Sequence, residues 1–319
     1  MTDKKYKLPQ FTEQIQELLE RGGLAQFLAQ DPLLHSFKSL VIASDYSGES
    51  GSKVRTYAFL LSGFEMLQVW YDEARRFREN HNIGLMEYKY LDDEKRQRVL
   101  PEWLSLLNRV GGHLIIVSID SSLSSVFRAG PRELLGLLKG EGFNAWNKND
   151  IEKLLRILHL VGLLIKHTTH TEQNVLWLSD RDSIIGDPDE EPSKLQQLLA
   201  LFPRIANLYV EHELGKVGLA VPSKSKPDPA FEEILTIPDL ACGAVTAYWN
   251  TDPYEKWGKY WEARVPIYKF LNEEQSNLQK HFFYIKPVKV QGGIATETLR
   301  YKFELSKELQ EHLKKRSNC

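Results

Sequence analysis

Apolar residues in the first third of the chain recur at two different spacings. Ile15, Leu18, Leu19, Leu24, Phe27 and Leu28 follow the three-to-four-residue rhythm of a helix, interrupted at Gly22-Gly23. This predicts an N-terminal helical extension. Residues 39–44 and 54–62 are short apolar runs joined by a Gly- and Ser-rich stretch at 48–53, which predicts two strands in a hairpin. Residues 64–81 read as a charged amphipathic helix, and 85–91 (LMEYKYL) alternate as a third strand would. A helix is expected over 92–110, with Asp92 or Asp93 as its N-cap and Gly111-Gly112 as its stop. Pro101 within it predicts a kink or two pieces.

Residues 113–119 (HLIIVSI) are almost continuously apolar, as in a strand covered on both faces. Helices are expected near 131–138 and 150–167, a buried strand at 174–178, and a segment at 190–208 that starts polar and becomes helical. Residues 224–229 read as a loop. Residues 237–249 (IPDLACGAVTAYW) open with a proline suited to a first helical turn, which makes them an apolar helix. Two strands at 281–289 and 296–304 form a hairpin around Gly292-Gly293, and a charged helix closes the chain. Strands interspersed with helices define an α/β protein with a mixed sheet.

Composition narrows the class. Of 319 residues, 42% are hydrophobic and 26% charged, enough for a sizeable core. The net charge of −2 shows no global positive field, although local basic patches remain compatible with it. Cys242 and Cys319 are the only cysteines, so a disulfide scaffold is not expected and a cytoplasmic location fits. The polar N-terminus lacks the apolar core of a secretory signal, and no run of about 18 uncharged apolar residues predicts a membrane span. GxGxxG, GxxxxGK[ST] and G-x-S-x-G are all missing, so dinucleotide, P-loop and hydrolase-triad chemistry lack support. His167 and His170 are the one close histidine pair, without an evident third zinc ligand.

Three apolar strands each run into an aspartate: the first into Asp45, the 113–119 strand into Asp120, and the 174–178 strand into Asp180. Asp239 falls in the expected first turn of an apolar helix. Side chains at the ends of neighbouring strands converge. Clustered carboxylates repel unless a cation neutralises them, and hard ions such as Mg²⁺ or Mn²⁺ take oxygen ligands. Such a centre hydrolyses phosphodiesters without a nucleophilic side chain. Each aspartate also has a plain structural reading. Asp120 and Asp180 fit turns or helix caps, and Asp239 fits a helix N-terminus. Asp45 has the weakest such alternative. The aromatic run Tyr248, Trp249, Tyr254, Trp257, Tyr260 and Trp261 fits base stacking, or a core or an interface.

Asp45-Tyr46-Ser47-Gly48 resembles the D-E-S-G motif that ends the first strand of DUF3800 proteins. Residues 237–245 (IPDLACGAV) resemble that family's late L-A-D-L-x-x-G-A helix. Leu178-Ser179-Asp180-Arg181 is similar to its internal strand ending in Asp, and Glu87-Tyr88-Lys89 to a Glu-x-Lys on its third strand. The order agrees over residues 40–249. Tyr46 stands where the family has Glu, with an acid returning only at Glu49.

The resemblance implies a ribonuclease H-like mixed sheet flanked by helices over 39–252. A helical extension (1–38) precedes it, and an aromatic-rich extension of a hairpin and a helix (253–319) follows. Asp45 would lie on the first strand, Asp120 on the fourth, Asp180 on the fifth and Asp239 on the last helix. The expected function is a Mg²⁺- or Mn²⁺-dependent nuclease acting on DNA or RNA, in a setting of phage defence or mobile elements. Asp45, Asp180 and Asp239 would hold metal, with Asp120 or Glu49 auxiliary. Lys89, Lys224 and Lys226 are candidate phosphate contacts. The alternative is an inactive module of the same fold acting through protein contacts, with a partner protein or a second copy.

Overall fold

The computed structural model describes residues 10–302, except 22, 50, 124, 128–130, 149, 183, 187–188, 251–258 and 291–292. Helices α1 (Gln10–Arg21) and α2 (Leu24–Gln30) are separated at Gly23, whose φ of +68° suits a residue without a Cβ. A single turn, α3 (Pro32–His35), leads into β1 (Ser39–Ser47) and β2 (Val54–Gly63). Then come α4 (Phe64–His81), a 3-10 turn at Tyr88–Tyr90, α5 (Glu94–Leu107) and β3 (Gly112–Asp120). The second half supplies α6 (Pro131–Gly140), α7 (Ile151–Thr168), β4 (Asn174–Ser179), α8 (Pro192–Ala206), β5 (Val217–Ala220), α9 (Pro229–Asn250), α10 (Lys259–Asn272), β6 (Leu278–Val290) and β7 (Gly293–Tyr301).

The seven strands form one sheet in the order β5-β4-β1-β2-β3-β6-β7. β2 is antiparallel to β1 and β3, β7 is antiparallel to β6, and the other neighbours are parallel. Alternation along each strand feeds two separate cores. Leu40 and Ile42 of β1, with Tyr57, Phe59 and Trp177, pack under α1, α2, α7 and α8. Val41 and Ala43, with Ala58, Leu60 and Leu178, pack under α4, α5, α9 and α10. Burial on both faces explains why these strands read as unbroken apolar runs. No helix among the described residues is long and apolar enough to cross a membrane.

Several expectations are corrected. Residues 85–91 form no strand. The amide of Tyr88 is taken by a side chain of α9, and those of Tyr90 and Leu91 close the 3-10 turn, so these three amides are turned away from any ladder. Asp120 therefore ends the third strand, and Asp180 follows the fourth. β1 continues to Ser47, which puts Asp45 inside the strand. α9 begins at Pro229, so Pro238 and Asp239 are mid-helix and Asp239 has no first-turn role; α10 follows, so α9 is not the last helix. α5 runs through Pro101 as one element, capped by Asp93, whose carboxylate accepts from the amides of Lys95 and Arg96. β6 pairs directly with β3, so the sheet continues past residue 252. The expected C-terminal helix, like Cys319, Tyr254 and Trp257, lies outside the described residues.

Candidate acidic site

Three elements deliver carboxylates to one region. On β1, alternation sends Ser44 and Tyr46 toward α7 and Asp45 toward α9. Gly48 makes the following turn possible. Its φ is +82°, and a Cβ there would stand 2.2 Å from the Val54 carbonyl oxygen. Beside β1, the Asp180 amide donates to the Ser44 carbonyl at 3.2 Å, placing Asp180 just past the end of β4. α9 packs across β1 and β2 and contributes Asp239, whose Oδ2 accepts from the Tyr88 amide at 2.5 Å.

The electrostatics show the convergence. Burial pushes the Asp45 carboxyl well above its ordinary value, and the charges of Asp239 and Asp180 push it further; the Tyr46 amide and Lys153 oppose this. Burial raises Asp239 to about 7, against the Tyr88 amide, with Glu87 and Asp180 adding repulsion. Asp180 is raised by burial, opposed by the amide and guanidinium of Arg181. Glu87 thus joins the group, through an ion pair with Lys89 at its edge. Glu232, one heptad before Asp239 on α9, sits 3.7 Å from Arg181 and is raised first by burial, against Arg181 and with Glu87 and Asp180. All five carboxylates are partly buried. Glu87 and Glu232 were not among the candidates. The signal for Glu87 was the Glu87-Tyr88-Lys89 motif; that for Glu232 was its heptad spacing from Asp239, legible only once α9 is known to begin at Pro229.

Other candidates lie apart. The register pairs Asp45 with Ala58 and Ala58 with Ile116, so Asp120 is four residues further along and two strands across, about 16 Å away. Its carboxylate is engaged by the Ser122 amide and hydroxyl and by Tyr284, at 2.9, 2.6 and 2.8 Å. Burial would raise it, but those bonds and Arg55 outweigh burial and hold it below its ordinary value. It does not join the cluster. Glu49 turns to the α7 side, where it accepts from the Tyr57 hydroxyl at 3.2 Å and meets Lys153 at 3.5 Å; Lys153 also binds Asp182 at 2.9 Å.

The predicted lysines divide. Lys89 is exposed beside the acids. Lys224 pairs with Glu190 at 3.5 Å, and Lys226 lies near Asp189, in a loop whose Ser223 and Ser225 bind Asp189. His170 packs against His35 with ring centroids 5.5 Å apart. Tyr248 and Trp249 pack onto the α9-side core, with Trp249 stacked on Tyr284 at 4.7 Å. A groove of about 550 Å³ between the end of α10 and β6–β7 is remote from the acids, lined by Lys280, Arg300 and Tyr301.

The chemistry of the donor set fits a hard divalent cation: oxygen ligands only, mutually repelling, partly buried. Among the described residues no three His, Cys, Asp or Glu side chains are arranged to hold one ion. No protein-family profile matches the chain, and no curated protein is significantly similar to it.

Proposed function

We propose that the protein is a divalent-metal-dependent nuclease built on a ribonuclease H-like sheet. The carrying observation is the convergence of Asp45 of β1, Asp180 just past β4 and Asp239 of α9, three acids from separate elements. The strand order β3-β2-β1-β4-β5, with three antiparallel strands and then two parallel to β1, supports the sheet assignment. Asp45, Asp180 and Asp239 would hold Mg²⁺ or Mn²⁺, with Glu87 beside them. A bound ion there supplies a Lewis acid and a water of lowered pKa. The chain's own residues do the rest. The Tyr88 amide orients Asp239, and the exposed Lys89 ammonium offers a phosphate contact at the rim. Tyr46 weighs less against activity than its motif position implies. Its side chain points to the α7 side, and its hydroxyl bonds Ser44 and Ser179 at 2.6 and 3.0 Å. A glutamate there would point the same way.

The test is cleavage of labelled DNA and RNA with Mg²⁺, Mn²⁺ or EDTA, beside Asp45→Asn and Asp239→Asn. Metal-dependent cleavage that both variants lose supports the reading. Intact substrates in every condition, with no Mn²⁺-induced rise in Tm, overturn it. That second outcome favours a binding module of the same fold, acting on a partner protein or a second copy. The net charge of −2, with no global positive field, is the observation on its side.

A further inference from the structure

Gly243 lies one turn beyond Asp239, on the same face of α9. A Cβ on Gly243 would meet the Tyr88 ring at 2.4 Å, so that ring rests directly on the helix backbone. The same residue's amide reaches Asp239 Oδ2 at 2.5 Å. Two contacts from one residue, one apolar and one polar, thus clip the segment 87–90 to α9. The 3-10 turn stiffens the clip, with Tyr90 N–H donating to Glu87 O at 3.0 Å and Leu91 N–H to Tyr88 O at 3.3 Å. An aspartate in mid-helix has no free helix N-terminus to orient it; a backbone amide from another segment does so without titrating. We infer that Gly243 and Tyr88 are positioning residues for Asp239. The bare backbone at 243 seats the Tyr88 ring, the seat aims the Tyr88 amide, and the amide fixes one carboxylate oxygen while leaving the other for a cation. The cation part rests on the metal reading above; the seat and the hydrogen bond do not.

The experiment separates the two. Hydrogen-exchange protection of the Tyr88 amide is measured by NMR in EDTA, and Mn²⁺ affinity by calorimetry. In the wild type the amide is protected, and Asp239→Ala, which removes its acceptor, abolishes that protection. In Gly243→Ala the protection is lost and Mn²⁺ binds at least about tenfold more weakly, the range for removing a partner that orients a ligand. Tyr88→Phe, the conservative control, keeps the ring and the protection. Should Gly243→Ala fail to fold, Tyr88→Gly removes the ring from the other side and produces the same two losses. Unchanged protection in either ring-disrupting variant, or none in the wild type, overturns the positioning role. Loss of protection with no Mn²⁺ binding even in the wild type upholds the positioning and sinks the metal.

Discussion

Asp239→Asn should stabilise the metal-free protein, and only above mid-acid pH. Burial and neighbouring acids raise the folded carboxyl to about 7 from an ordinary 3.8. At 1.36 kcal/mol per pH unit, that gap is worth about 4 kcal/mol at most. The sign follows from which state holds the proton more tightly. A raised folded value favours the folded state below pH 3.8, and that advantage is lost as pH climbs from about 4 to about 7. Asparagine keeps the shape and an acceptor for the Tyr88 amide but has no proton to lose. In EDTA the variant should therefore outlast the wild type at pH 8 and approach it at pH 5. An unfolding entropy of about 2.1 cal/mol/K per residue over the 319 residues is about 0.7 kcal/mol/K, so the pH 8 difference is about 6 °C in Tm. Saturating Mn²⁺ should narrow that gap. An ion at 100 times its Kd adds about 2.7 kcal/mol to the wild type, and asparagine forfeits much of it. Scanning fluorimetry at pH 5 and 8, with EDTA or Mn²⁺, reads both. Identical pH dependence of the two proteins would refute the picture of a strained acidic cluster.

Arg78→Ala should cost about 3–5 kcal/mol in denaturant melts, because it leaves the fully buried Glu233 without the guanidinium it meets at 2.5 Å. Gly48→Ala should cost more than about 1 kcal/mol, since positive φ and the Val54 carbonyl both oppose a Cβ; a Tm within 1 °C of wild type would contradict that. Asp120→Asn should change Mn²⁺ affinity less than about twofold, given its separation of about 16 Å from Asp45. His281 is buried and held near 3, so stability should fall as pH drops below the ordinary 6.5, and His281→Gln should soften that fall in acid titration.

Much of the sheet was legible because strands covered on both faces must be apolar throughout. β1, β2, β3 and β4 announce themselves in this way, and Asp45, Asp180 and Asp239 were all named from where apolar runs stop or helices begin. Asp120 shows the limit. In sequence it ends a strand as Asp180 does, but its height above the site depends on the register across two antiparallel pairings, which no local pattern encodes. Residues 85–91 mimicked a strand because Met86, Tyr88 and Tyr90 alternate with polar neighbours, whereas the amides were claimed by α9 and a turn. Pro238 misled about α9: proline favours a first turn, yet this helix tolerates one in its interior, and its true start hid Glu232. β5, four residues of intermediate burial, is too short to signal itself.

β1 carries a tyrosine bonded into one layer and, next to it, an aspartate delivered to the other. Deleting a single residue upstream, between 40 and 44, would exchange their destinations, pressing a carboxylate against α7 and a phenol into the acid cluster. Length changes in the 48–53 loop leave that assignment untouched. Natural variants of this chain should therefore vary freely in hairpin length while keeping an unchanging count from the start of β1 to Asp45.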